Sequence, residues 1–162
     1  LNKNLKLKMV DNKYMITNGP AFINEKNFYY TDTKKRIIYK IKIDKNLNIL
    51  EKKIFKKFVG VEGFPDGMTT DRFKNLWVCH FGGSSISVFN QKGKKIYKIK
   101  LPAKNVTNCA FGGANNNDLY LTTALKGLKE IDKKKYNLSG SLFKVRTNSK
   151  GMTSKSFNVI YG

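Results

Sequence analysis

Three oxygen-bearing side chains recur at one place in a repeated pattern: Asn18, Asp66 and Asn108. Asn18-Gly19-Pro20-Ala21-Phe22 is followed by Asn27-Phe28-Tyr29, and Asp66-Gly67-Met68-Thr69-Thr70 by Asn75-Leu76-Trp77 at the same offsets. A third copy, Asn108-Cys109-Ala110-Phe111, is followed by Asp118-Leu119-Tyr120 with one extra residue. Taken singly, Asn18-Gly19 and Pro65-Asp66-Gly67 read as turns. Taken as a repeat, they are equivalent positions on successive units. One carboxylate and two carboxamides meeting at one place form an oxygen-donor pocket suited to a hard divalent cation, with Ca2+, Zn2+, Mg2+ and Mn2+ all open. His80 is the sole histidine. It follows the strand predicted at Leu76–Cys79, where a substrate contact or proton transfer is one reading and a loop histidine without special duty the other.

The elements that must position these groups are short strands between turns. Phe28–Thr31, Ile37–Ile43, Leu76–Cys79, Ile86–Phe89, Ile96–Leu101, Leu119–Thr122, Leu142–Val145 and Phe157–Ile160 are apolar or alternating runs, separated by turn sequences such as Gly82-Gly83-Ser84 and Gln91-Lys92-Gly93. Between Leu125 and Leu138 the spacing allows one or two helical turns. The repeat positions lie 48 and then 42 residues apart, a period that matches the blade of a β-propeller. The innermost strand of every blade lines one central channel, so Asn18, Asp66 and Asn108 are expected to converge there. Six blades of about 45 residues need roughly 270 residues. The 162 residues here therefore read as one partial propeller domain over 1–162, its last three to four blades, with the remainder expected upstream of Leu1 or supplied by a partner segment.

Composition narrows the partners. The net charge of +21 invites a nucleic-acid reading, but the lysines are spread along the whole chain. Arginine, the better reader of phosphates and bases, occurs only at Arg36, Arg72 and Arg146. No nucleic-acid partner is expected. No membrane partner is expected either, because no apolar run approaches the roughly 18 residues of a spanning helix. Cys79 and Cys109 carry no zinc spacing and read as reduced, partly buried thiols of a cytoplasmic protein, export being left open by the start at Leu1. Asp32 reads as a turn-stabilising carboxylate. Trp77, Tyr29, Tyr30 and Tyr120 read as packing between blades. Oligomeric state is not legible.

The ordered series Asn18-Gly19-Pro20-Ala21-Phe22, Tyr29-Tyr30-Thr31-Asp32, Gly63-Phe64-Pro65-Asp66-Gly67-Met68, Asn75-Leu76-Trp77-Val78, Phe81-Gly82-Gly83, Cys109-Ala110-Phe111-Gly112-Gly113 and Gly140-Ser141-Leu142-Phe143-Lys144-Val145 resembles the senescence-marker-protein/gluconolactonase/regucalcin-like family. The resemblance covers the latter half of that family's domain. It implies a six-bladed propeller that hydrolyses sugar lactones, a carboxylic-ester hydrolase with one divalent cation in its channel. It implies Asn18 and Asp66 as metal ligands and Asp66 as general base. A Glu ligand and an Arg/Asn pair that grips substrate fall upstream of Leu1. His80 and Asn108 stand as substrate-binding candidates. The Gly-Arg that often follows Gly82-Gly83 in the family is Ser84-Ser85 here. The alternative within the family is a non-catalytic calcium-binding propeller.

Overall fold

The computed structural model describes residues 7–153. Alternating sequence becomes three consecutive antiparallel sheets. The first holds β1 (Ala21–Asn24), β2 (Asn27–Asp32), β3 (Ile37–Ile43) and β4 (Ile49–Lys57) in sequence order. The second holds β5 (Phe64–Thr70), β6 (Leu76–Phe81), β7 (Ser85–Phe89) and β8 (Lys95–Lys100), again in order. The third holds β9 (Asn105–Gly112), β10 (Asp118–Ala124) and β11 (Phe143–Arg146), with β10 in the middle. The first strand of each sheet sits at its inner edge: β5 packs against both β1 and β9.

Sequence and structure agree on β2, β3, β6, β7, β8, β10 and β11 to within a few residues. The Phe157–Ile160 run lies outside the described residues. β4 is not among the strands the sequence predicts. Its Glu51, Lys52, Lys53, Lys56 and Lys57 are outermost and largely exposed, so no burial pattern marks it. β1, β5 and β9 carry the repeated Asn, Asp, Gly and Pro positions or their neighbours, which turn chemistry masks. The Leu125–Leu138 region yields one short helix, α1 (Glu130–Lys135).

The middle sheet is covered on both faces. Every residue of β7 and all but the last of β6 are buried. Because side chains alternate across a strand, Leu76 and Val78 point to a core shared with Ala21, Ile23, Tyr29 and Ile38 of the first sheet. Trp77 and Cys79 point the other way, to Val106, Cys109, Leu119 and Leu121 of the third. Trp77 meets Phe111 edge-on at 5.3 Å. Trp77 and Tyr29 thus pack between sheets. Tyr30 belongs instead to a cluster on the outer side of the first sheet, and Tyr120 is exposed. Both cysteines are free and, contrary to the partial burial expected, buried, Cys79 completely. Asp32 accepts the Lys35 backbone N–H at 3.2 Å and pairs with its ammonium, a turn role.

Aspartate-centred turns join the strands. Asp44 accepts the Asn46 and Asn48 backbone N–H groups at 2.8 Å and the Asn48 amide at 3.0 Å. Asp71 repeats this with Phe73 and Asn75, then adds long-range partners: Trp77 Nε1 at 3.1 Å and Ser149 Oγ at 2.8 Å. Asp71 is buried and also bridges Gly151, which ties the end of the described chain to the middle sheet. Stranding these donors costs far more than opening one exposed turn. Asp71→Ala is expected to lose about 3 kcal/mol in denaturant unfolding, and Asp44→Ala less than about 1 kcal/mol.

Candidate active site

Asn18, Asp66 and Asn108 line one cleft of about 420 Å³, together with Gly19, Pro20, Gly67, Met68, Thr107 and Cys109. Residues far apart in sequence meet because each sits at the inner edge of its own sheet. Asn18 and Asp66 also line an adjoining recess of about 280 Å³ walled by Ile16, Thr33, Lys34, Phe64 and Phe81.

Each of the three positions lies where the regular strand is interrupted. Asn18 precedes β1 and remains paired to β2 through its carbonyl, which accepts the Thr31 N–H at 3.0 Å. Asp66 and Gly67 fall between the pairs Pro65–His80 and Met68–Val78, so the strand bulges there. In the third sheet the register shifts between Thr122–Asn108 and Thr123–Val106, which places a bulge at Thr107. Bulges re-aim side chains that a flat strand would hold in alternation, and here they serve the cleft. Gly67 makes the approach of β9 possible. A Cβ there would stand 2.2 Å from Asn108 Oδ1 and 2.6 Å from the Thr107 carbonyl.

The polar atoms divide into held and free. The Asn18 backbone N–H donates to Thr31 Oγ1 and its Nδ2 to Thr33 Oγ1, both at 3.0 Å. No donor among the described residues reaches Asn18 Oδ1. Asn108 Oδ1 accepts the Cys109 N–H at 2.9 Å and is therefore already engaged. Asp66 is half-buried, and burial pushes its carboxyl up to about 6, against the smaller opposing pull of a hydrogen bond from the Gly67 backbone. A carboxylate accepts hydrogen bonds on two oxygens, so one backbone donor leaves most of its capacity open. Among the described residues no three His, Cys, Asp or Glu side chains converge. The donors that fit a cation here are one carboxylate and one carboxamide oxygen.

His80 is not part of this constellation. It lies inside β6 rather than in a loop after it, is buried, and shares a 2.9 Å hydrogen bond between Nε2 and Ser87 Oγ. Its ring packs edge-on against Phe58. Burial lowers its pKa to about 4, so the ring is neutral at neutral pH. The physical reason for the displacement is that β6 continues to Phe81 and pairs His80 with Ser85 of β7. Thr31, Thr33 and Thr107 complete the site's surroundings, and their single sequence cue is adjacency to strand ends.

Residues 1–125 match the family described as SMP-30/gluconolactonase/LRE-like region. The chain is similar to regucalcin of Xenopus laevis, 35% identical over 136 residues that make 80% of this chain and 44% of that protein. It is similar to pentonolactonase XacC of Haloferax volcanii, 31% identical over 111 residues, 67% of this chain and 38% of the other. Among solved structures, luciferin-regenerating enzyme superposes with a TM-score of 0.83 at 32% identity, over 94% of this chain and 52% of the other. A regucalcin from Agrobacterium tumefaciens superposes at 0.79 with 22% identity, over 86% and 48%, and supports the fold alone. The chain spans about half the length of the relatives it matches. The fold, the repeated inner-strand positions and the match over residues 1–125 together show that the chain belongs to the SMP-30/gluconolactonase/LRE-like family.

Proposed function

We propose that this chain carries part of the active site of a metal-dependent sugar lactonase, built on a six-bladed propeller of which 1–162 is one partial domain. The observation that carries the reading is the shared cleft of Asn18 and Asp66, from separate sheets, with an uncommitted oxygen on each. The relative named pentonolactonase supports lactone chemistry. The pairing of a carboxylate with a carboxamide oxygen in one cleft supports a hard divalent cation.

Asn18 Oδ1 and the Asp66 carboxylate are the groups that would hold the cation, with further donors from water or from sequence beyond this chain. A neutral carboxamide adds a ligand without adding charge. When bound, the cation would supply polarisation of the lactone carbonyl and stabilisation of the charge that develops on its oxygen. Asp66 accepts the proton of the attacking water at a carboxylate oxygen. Asn108, engaged at Oδ1 by Cys109, offers its Nδ2–H groups to a substrate oxygen. Its packing against Gly67 fixes the distance between it and Asp66. His80, buried and neutral, takes no part.

Two outcomes follow. Asp66→Asn in the full-length protein, assayed on gluconolactone and pentonolactones with cation supplied, is expected to lose turnover by at least about 100-fold. Turnover near that of the wild type, or cation binding with no wild-type hydrolysis above the spontaneous rate, contradicts the lactonase reading. The second concerns the cation-free protein. Because burial raises the folded-state pKa of Asp66 to about 6, its ionised form is disfavoured by folding. The resulting loss of stability is absent below its unfolded pKa and grows as pH rises towards the folded pKa. Asp66→Asn is therefore expected to raise the melting temperature of the cation-free protein at pH 7.5 and to leave it unchanged near pH 3.5. An equal shift at both pH values removes burial of the charge as the cause.

A further inference from the structure

We infer that Thr33 is the positioning residue that turns the Asn18 carboxamide oxygen towards the cation and fixes the backbone bearing Asp66. The inference rests on the metal-site reading above and adds a residue that reading does not use. Thr33 is buried in the loop between β2 and β3, and its hydroxyl lies among three polar groups. It donates to the Pro65 carbonyl at 2.9 Å. It receives Asn18 Nδ2 at 3.0 Å and stands 2.8 Å from Thr31 Oγ1.

Proton counting fixes the direction of every bond. A carbonyl can only accept and a backbone N–H can only donate, whereas a hydroxyl has one proton and two lone pairs. The single Thr33 proton goes to Pro65 O, so both remaining positions on Thr33 must accept. One accepts the Thr31 hydroxyl proton. That leaves the Thr31 oxygen to accept the Asn18 backbone N–H at 3.0 Å. The other accepts from Asn18, which must therefore present its NH2 end to Thr33. Oδ1 is left as the end available to the cleft. A flipped Asn18 carboxamide would need the same single proton and would strip it from Pro65 O, breaking the hydrogen bond that joins the first sheet to the second. The network is complete only in the orientation that makes Asn18 a ligand.

The same hydroxyl crosses from the first sheet to the second. Pro65 precedes Asp66 and begins the bulge that aims it. One side chain thus sets the orientation of one candidate ligand and the backbone position of the other, the arrangement by which outer-shell hydrogen bonds govern metal affinity.

The test is titration of the full-length protein with Ca2+ and with Mn2+ by calorimetry. Thr33→Val keeps the shape and removes the hydroxyl, and Kd is expected to rise at least about tenfold. Thr33→Ser restores the hydroxyl, and Kd is expected to return to within about threefold of wild type. A merely structural role would lower the melting temperature of Thr33→Val while its folded fraction kept the wild-type Kd, and that result would overturn the inference. Should Thr33→Val fail to fold, the wild-type protein still decides by NMR. One Asn18 side-chain amide proton is expected to be protected from exchange before cation is added, and fast exchange of both would overturn the lock. A wild-type protein that binds neither cation would sink the metal reading itself, a failure distinct from wild-type binding that the valine variant leaves intact.

Discussion

The close approach of β5 to its two neighbours is the constraint on which the rest depends. β1 and β9 can flank it only if the contact residues are small or turned aside. Gly67 meets that demand on the β9 side, where any side chain would collide with Asn108 and the Thr107 carbonyl. From this follow the shared cleft, the burial of the middle sheet on both faces and the enclosure that raises the Asp66 pKa. The same enclosure disfavours a lone ionised carboxylate, so a bound cation would offset a cost that the empty fold carries.

Irregularity, rather than regular strand, does the positioning. Asn18, Asp66 and Asn108 all lie at strand ends or bulges, flanked by strands that pair in good register. Regular pairing gives the sheets stiffness and the bulges spend some of it to turn side chains inward. The threonine hydroxyls beside Asn18 then remove its remaining freedom, because their protons can be arranged in one way only.

Much of this was legible in the sequence for a physical reason: a repeat of about 45 residues makes convergence of distant residues a geometric consequence. Asn18 and Asp66 could be paired on that ground alone. The strands with strong alternation, such as Ile37–Ile43, were equally plain. β4 was not, because an outermost strand rich in lysine buries little and leaves no pattern. His80 differs, because Phe81 and the glycines after it look like a loop, while pairing to Ser85 carries β6 on to Phe81. For the Thr31–Thr33 network, adjacency to a strand end gives no hint of its role, since hydrogen-bond direction depends on a carbonyl from another sheet.

On the proposed function, Asn18 and Asp66 share one cation. Anomalous diffraction from a crystal of the full-length protein soaked in Mn2+ tests it most directly. One peak within about 2.6 Å of both Asn18 Oδ1 and an Asp66 carboxylate oxygen is expected. A peak bound elsewhere, with Asn18 and Asp66 coordinating nothing, would contradict it.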